Sequence, residues 1–219
     1  MKRAAALFLF MLPWLWGCAT VATPTDSAVI QVYASSATQP WLVEMYDCAR
    51  QYHTLLVVAD PATADVALRL GEPADLSAPA FQVDRDDFLV VTHPQTGVGT
   101  LTLEQVRAII SGQVTNWSEV GGNNVPIQVW VYSKGEDVQQ AVEQAMQGLP
   151  IASSAHVATS AQAMSDSVGS NPGSVGFLPR RRKAGNTHET LTVTTLPVLA
   201  ITPSEPQGAL KNVLACLQK

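Results

Sequence analysis

Apolar residues alternate with polar ones in short stretches of this chain, and in other stretches they recur at helical spacing. The segment TQPWLVEMYDCARQYH carries Trp41, Leu42, Met45, Tyr46 and Ala49 on one face, which predicts an amphipathic helix. Short runs rich in β-branched residues and bounded by Pro or Gly predict strands. These runs are SAVIQVYAS, TLLVVAD, ADVALRL, DFLVVTHP, PIQVWVYS, GSVGFLP and TLTVTTLPVLAITP.

Further helices are predicted between several of these strands. In TLEQVRAIISG, Thr102 is placed to cap the helix and Gly112 to end it. The other helical stretches are EDVQQAVEQAMQG, GALKNVLACLQK and the second half of IASSAHVATSAQAMSDSVGS. The alternation of strands and helices predicts an α/β fold with mainly parallel sheets covered by helices.

The N-terminus is typical of an export signal. Two basic residues precede an apolar run over residues 4–16, shorter than the roughly 20 residues of a membrane-spanning helix. Leu15-Trp16-Gly17-Cys18 resembles the bacterial lipobox, whose cysteine is diacylated after cleavage. We therefore expect a signal peptide over 1–17, a lipidated tether over 18–27, and a bacterial envelope location, anchored through Cys18 on the extracytoplasmic face. The alternative is an ordinary signal peptide that contains a cysteine by chance.

Composition excludes a disordered chain and argues against nucleic acid as a partner. Hydrophobic residues make up 47% of the sequence, enough for a buried core, and the net charge of −5 opposes binding to a polyanion. The exception is the basic run from Arg180 to Lys183. It is either a solvated loop, a source of one arginine that turns inward to a binding site, or a patch that meets anionic lipid.

Cysteine usage suggests one disulfide. Once Cys18 is assigned to lipid, Cys48 and Cys216 form an even pair in an oxidising compartment, and the two residues lie on the first and last predicted helices. We expect them to bond to each other. Two buried free thiols are the alternative.

Three segments of the chain resemble phosphate-type ABC transporter substrate-binding proteins, in the order in which that family carries them. SATQPWLVEMYDCARQY is similar to the family's first ligand loop and helix, and NPGSVGFLP to its later Pro-Gly-(Ala/Ser)-(Ile/Val)-Gly-(Tyr/Phe) strand. Between them, DFLVVTHPQTGVGTLTLEQVRAIISGQVTNWSEVGGNNVPIQVWVYSKG is similar to the family's crossing strand, Leu-Thr-x-Glu-Gln helix and Gly-x-x-x-x-Trp turn. On this resemblance Trp117 is a packing anchor, and Gly121-Gly122 lead into the next strand.

The resemblance implies a two-lobed, periplasmic-binding-protein-like α/β fold with a hinge between the lobes. The first lobe would comprise residues 28–94 plus 190–219, and the second residues 95–189, as one such domain overall. Proteins of this type hold a small ligand between the lobes, and they bind anions with hydroxyl groups, N–H groups and an arginine. The ligand would be a small molecule or anion. The implied partner is an ABC permease or a membrane sensor, and the protein is expected to be a monomer.

Candidate ligand-binding residues follow from the same resemblance. In the first loop the family's Gly-Ala-Thr-x-Pro becomes Ser36-Ala37-Thr38-Gln39-Pro40, so Thr38 falls on the contacting threonine, although the hydroxyl groups of Ser36 and Thr38 could equally cap the following helix. In the second lobe the family's Arg-x-x-Gly-Ser-Gly-Thr becomes Tyr132-Ser133-Lys134-Gly135-Glu136-Asp137-Val138. Only Gly135 matches, and the two carboxylates stand where phosphate would bind. Phosphate binding in the family's manner is therefore not expected.

Two function classes remain open after these departures from the family pattern. The first is a solute-binding lipoprotein, and the second is a sensory or protein-interaction module that keeps the fold without binding ligand. A cleft filled by Tyr132, Glu136 and Asp137 would favour the second. The four histidines lack the spacing of metal ligands, no Ser, His and Asp constellation can be assigned, and we expect no metal site, no cofactor and no enzymatic activity.

Overall fold

The computed structural model of the protein describes residues 28–218. The predicted signal peptide, Cys18 and its tether lie outside these residues. Among the residues described, no helix has both the length and the apolar character needed to cross a bilayer.

In the described part of the chain, eight strands form a single sheet in the order β2-β1-β3-β8-β4-β7-β5-β6. Their bounds are β1 Val29–Ala34, β2 Leu55–Val58, β3 Val66–Leu70, β4 Ala80–Thr92, β5 Gln128–Tyr132, β6 His156–Ala158, β7 Ser174–Pro179 and β8 His188–Ile201. Every predicted strand is present. The strand β6 was missed because it is only three residues long and lies in a stretch of small and polar residues without a clear alternation.

Among residues 28–218, five α-helices accompany the sheet, and all of them were predicted from the sequence. Their bounds are α1 Trp41–Gln51, α2 Leu103–Ile110, α3 Asp137–Met146, α4 Ala161–Ser170 and α5 Gly208–Leu217. Thr102 begins α2 with a capping box shared with Gln105, and Gly112 follows its end with φ +79°. The α/β fold class is therefore confirmed.

The sheet is mixed, with parallel strands at both sides and antiparallel strands in the middle. The strands β2, β1 and β3 are parallel to one another, as are β7, β5 and β6. We call these three-stranded groups, each taken together with the loops and helices that connect its strands, the first flank and the second flank. Between them the long strands β8 and β4 pair antiparallel with each other and with their neighbours. The expected parallel strands are thus confined to the flanks, because the central strands must run from one flank to the other.

Trp117 anchors the turn that follows α2. Its ring is fully buried, and its indole Nε1 donates to the carbonyl oxygen of Gly173 at 2.8 Å. Gly121 adopts φ +86°, and a Cβ on Gly122 would lie 2.7 Å from the carbonyl oxygen of Thr96. Both positions therefore favour glycine, the first for its backbone conformation and the second for the close approach of another chain segment.

The predicted disulfide is present between α1 and α5. Cys48 and Cys216 are bonded with their Cα atoms 5.8 Å apart, and they are separated by 168 positions in the sequence. The bond joins two helices that pack against each other, and α1 also packs against β2 and α5 against β4. It closes nearly the whole of the folded chain into one loop.

We expect removal of this bond to lower stability substantially. For a loop of this length the chain-entropy account gives about 5 kcal/mol, and measured losses for small exported domains are about 2–5 kcal/mol. The double variant Cys48→Ser/Cys216→Ser should therefore unfold at a clearly lower urea concentration than the oxidised protein. Reduction of the unaltered protein should give the same shift, and an unchanged unfolding midpoint in both experiments would contradict the assignment.

Candidate functional site

The loop between β1 and α1 is held against the neighbouring strand β3. The hydroxyl group of Thr38 donates to the carbonyl oxygen of Leu68 at 2.8 Å, and the side chain of Thr38 is fully buried. Pro40 is the N-cap of α1 and makes no side-chain cap. Ser36 and Thr38 therefore do not cap the helix, which removes one of the two interpretations of these residues.

Asp137, the first residue of α3, reaches from the second flank into this loop. Its Oδ2 accepts a hydrogen bond from the hydroxyl group of Ser35 at 2.6 Å and one from the backbone N–H of Leu70 at 2.7 Å. The side chain of Asp137 is only 5% exposed. A carboxylate with two donors at these distances is a strong, charge-assisted acceptor. The N–H and hydroxyl groups of the first flank are thus satisfied by a side chain of the protein itself.

A cation lies beside this contact. The Nε of Arg69 is 3.7 Å from Oδ2 of Asp137, which is within ion-pair distance but too long for a hydrogen bond. Among the residues described, that Nε has no hydrogen-bond partner although it is buried. Arg69 therefore neutralises part of the charge on Asp137 and keeps one donor available.

Glu136 makes a second contact between the flanks. The hydroxyl group of Ser36 donates to Oε2 of Glu136 at 2.8 Å, and its oxygen accepts from the backbone N–H of Ala161 at 3.1 Å. Ala161 is the first residue of α4. One serine of the first flank therefore links the beginnings of two helices of the second flank.

Of the remaining predicted site residues, Lys134 and Gly135 line one cavity with Glu136 and Asp137, whereas Tyr132 and Ser133 do not. Tyr132 is buried, and its hydroxyl group donates to the carbonyl oxygen of Phe177 in β7 at 2.7 Å. Its side chain is therefore directed towards β7 and not into the space between the two flanks. Burial, assisted by the nearby carboxylates, raises the pKa of its hydroxyl group well above the usual value. The hydroxyl group of Ser133 faces the carbonyl oxygen of Ala158, while Lys134 and Gly135 are exposed.

Three of the contacting groups were not identified from the sequence. Ser35, Arg69 and the N–H of Leu70 all come from the first flank. Ser35 could have been suspected because it precedes the predicted ligand loop. Arg69 and Leu70 carry no local signal, since their partner Asp137 lies more than sixty positions further along the chain.

The arginine cluster after β7 belongs to a different network. Arg180 forms a bidentate pair with Glu189 at 2.8 and 3.1 Å and donates from Nε to Asp87 at 3.0 Å. Hydrogen bonds from Thr195 and Arg180 lower the pKa of Asp87, and the bond from Arg180 lowers the pKa of Glu189. Arg180 therefore ties the segment after β7 to both long central strands.

Arg181 extends this network to α1. Its guanidinium group donates to Glu44 and to Asp84, both at 2.7 Å, and its Cζ lies 4.4 Å from the ring centre of Trp41. The indole Nε1 of Trp41 also donates to Asp84 at 2.8 Å. Neither Arg180 nor Arg181 contacts Asp137. Arg180 and Arg181 are thus not freely solvated, and they do not replace the arginine that the resembling family carries in place of Tyr132. The Nε of Arg182 is also buried, without a hydrogen-bond partner among residues 28–218.

Within residues 28–218, no group of three or more His, Cys, Asp or Glu side chains is placed to hold a metal ion. Asp137 and Glu136 accept their hydrogen bonds across the flanks from protein donors, which are Ser35, Leu70 and Ser36. Chemically, the arrangement can hold one negative charge between the flanks, and a carboxylate of the chain supplies it.

Removing the Asp137 carboxylate should destabilise the fold. Asp137→Ala would leave the hydroxyl group of Ser35 and the N–H of Leu70 without their acceptor, at about 1–3 kcal/mol for each buried donor. We expect a loss of about 2–5 kcal/mol in urea unfolding, and a smaller loss for Asp137→Asn, which keeps an oxygen acceptor. The exposed Asp75→Ala is the matched control and should change stability by no more than about 0.5 kcal/mol. Equal effects of Asp137→Ala and Asp75→Ala would show that the buried contact contributes nothing.

Known protein structures share this fold. A Clostridium perfringens protein, solved with bound phosphate and named as a phosphate ABC transporter substrate-binding protein, is 15% identical, with a TM-score of 0.78 over 86% of this chain and 92% of that chain. An ABC-type phosphate transport receptor from Vibrio cholerae is 21% identical, with a TM-score of 0.68 over 87% and 93% of the two chains.

A regulatory domain has a similar structure. The CcmR regulatory domain from Synechocystis, solved in complex with 2-PG, is 10% identical, with a TM-score of 0.61 over 88% of this chain and 96% of that chain. At these identities the similarity establishes the fold alone. The sequence itself matches the family described as PBP superfamily domain over residues 58–214, which is more than half of the chain. Together with the α/β sheet described above, this match means that the protein belongs to the family of PBP superfamily domains.

Proposed function

We propose that this protein is an extracytoplasmic, lipid-anchored member of the phosphate-type solute-binding class in which the chain's own carboxylates hold the position of the anion. It would act as a sensory or protein-interaction module of the bacterial envelope, without carrying phosphate. Its partner would be a membrane sensor or a permease. The protein would be a monomer, and its two flanks would stay in contact without a ligand.

One observation carries this proposal. Oδ2 of Asp137 accepts from the hydroxyl group of Ser35 and the N–H of Leu70, two groups that could otherwise bind an anion. The hydrogen bond from Ser36 to Glu136 places a second carboxylate of the second flank against the same loop of the first flank. Tyr132 takes no part, because its side chain is directed under β7.

A phosphate ion would have to displace these carboxylates. Asp137 is covalently part of the chain, so its effective concentration at the donors is in the range of about 1 mM or more, as for other short linkages. Two unit charges of the same sign also repel each other by about 1 kcal/mol at 4 Å in water and by more in a closed cleft. Both effects weaken phosphate binding without changing any donor of the first flank.

The same contacts support a closed arrangement of two lobes. We infer that residues 28–94 plus 190–219 form the first lobe and residues 95–189 the second, with β4 and β8 crossing between them. In a solute-binding protein the ligand bridges the lobes. Here the bridges from Ser35 to Asp137 and from Ser36 to Glu136 are intramolecular, so closure would not require a ligand.

A second candidate function is solute capture for an ABC importer. It is favoured by the buried Nε of Arg69, which has no hydrogen-bond partner within residues 28–218 and lies next to Asp137. If Asp137 moved aside, Arg69, Ser35 and the N–H of Leu70 could face an anion together. Two structurally similar proteins are named for phosphate transport, which agrees with this alternative.

Calorimetry with phosphate distinguishes the two candidates. We expect the unaltered protein to bind phosphate at least about a hundredfold more weakly than the double variant Glu136→Ser/Asp137→Gly, a difference of about 2.7 kcal/mol. The variant removes both carboxylates and introduces the residues that the family has there. The double variant Asp60→Asn/Glu205→Gln removes two exposed carboxylates elsewhere and should bind no better than the unaltered protein.

Two results would contradict the proposed function. Sub-micromolar phosphate binding by the unaltered protein would favour the importer. A folded Glu136→Ser/Asp137→Gly variant without any gain in affinity would show that the carboxylates are not what keeps phosphate out.

The lipid anchor is tested separately. Replacing Cys18→Ser removes the thiol that would be acylated, so incorporation of labelled fatty acid should be lost and the protein should leave the membrane fraction. The variant Cys48→Ser is the matched control and should still be labelled. Membrane partition of Cys18→Ser equal to that of the unaltered protein would rule out lipidation at this residue.

A further inference from the structure

The strand β8 has one edge that is only partly covered. Its other edge pairs with β4 over its whole length, from His188 to Ile201. On the partly covered edge, β3 pairs only with residues Val198–Ile201. The remainder of this edge lies in the middle of the molecule, between the two flanks.

Two backbone hydrogen bonds mark the ends of the uncovered stretch. At one end the N–H of Gly71 donates to the carbonyl oxygen of Pro197 at 2.8 Å, and at the other the N–H of Leu101 donates to that of Thr190 at 3.0 Å. Gly71 has φ +80°, and at this residue the segment that follows β3 turns away from the edge of β8. Within the described part of the chain, residues 191–196 have no strand partner on this side, which leaves about 20 Å of edge.

A groove runs along this edge beneath α3. It consists of two adjoining cavities of about 260 and 230 Å³, both lined by residues of α3 and β8. They share Ala141, Gln144 and Leu196. Both cavities therefore lie between α3 and the free edge of β8.

We propose that this groove binds a short, extended peptide with free termini, added to β8 as an antiparallel strand. An uncovered strand edge offers N–H and C=O groups that pair with any extended backbone. Because β3 is antiparallel to β8 and leaves it at Gly71, a peptide on the same line would begin near Gly71 and run towards Val193.

The charges along the groove favour the same direction of the bound peptide. The cavity near Gly71 is lined by the carboxylates of Glu72 and Asp137 and has no cation among its lining residues. The cavity at the opposite end contains Arg107 and no carboxylate among its lining residues. A peptide amino terminus is therefore favoured near Gly71, and a carboxyl terminus near Arg107.

Side chains between the two ends suit a peptide of varied sequence. Gln140 and Gln144 of α3 offer amide donors and acceptors, and Gln140 already donates to the backbone oxygen of Glu72 at 3.1 Å. Ala141 and Leu196 supply apolar surface between them. The peptide site uses the edge of β8, whereas the exclusion of phosphate rests on the acceptor that Asp137 offers to Ser35 and Leu70, so the two are tested by separate measurements.

The test uses the hexapeptide Val-Thr-Val-Thr-Val-Thr with free termini and the complete folded protein. We expect calorimetry to detect binding, and amide hydrogen exchange to slow within residues 191–196, because paired edge amides open less often. Acetylation of the amino terminus and amidation of the carboxyl terminus should each weaken binding by at least about tenfold, since each removes one charge interaction.

A matched pair of variants separates the groove from the rest of the surface. Gln144→Trp fills the groove from an exposed position of α3 and should weaken peptide binding by at least about tenfold. Gln51→Trp makes the same exchange at an exposed position of α1 and should leave binding unchanged. The proposal is overturned if the hexapeptide does not bind at millimolar concentration, or if it binds equally to both variants. It is also overturned if binding leaves exchange within residues 191–196 unaltered.

Discussion

A single buried carboxylate connects the two flanks of this fold. Asp137 begins α3 of the second flank, yet its Oδ2 accepts from Ser35 and Leu70 of the first flank. A charge with so little exposure is stable only because donors and the nearby cation Arg69 compensate for lost water. The position of α3 relative to the first flank therefore depends on this contact, and so does the shape of the groove beneath the helix.

Most elements of the fold could be predicted because their signals are local. Strand alternation, the cap at Thr102 and the glycine at 112 depend on residues a few positions apart. The two flanks could not be inferred from such signals, since the antiparallel pairing of β4 with β8 joins segments about a hundred positions apart. The disulfide was predictable without the fold, because only two cysteines remained to pair once Cys18 was set aside.

The site was predicted in part, for the same physical reason. Glu136 and Asp137 were identified because they stand where the resembling family carries its Ser-Gly pair, at the start of a predicted helix. Their partners Ser35 and Arg69 lie in another flank, and only the folded chain brings them close. The roles of Arg180 and Arg181 were likewise hidden, because their acidic partners come from α1, β4 and β8. Adjacent cations in a sequence say nothing about which distant carboxylates they meet.

The bond between Cys48 and Cys216 also determines what a protease could release from this protein. A single cut at any loop between these residues would divide the backbone, but the two pieces would stay covalently joined through α1 and α5. The second flank and both long central strands lie within that closed loop, while β1 precedes Cys48 and stays attached to it through α1. Under oxidising conditions, a molecule cut once between Cys48 and Cys216 would therefore keep every described strand in one covalent unit, and a second cut within that loop would be needed before a strand between them could be lost.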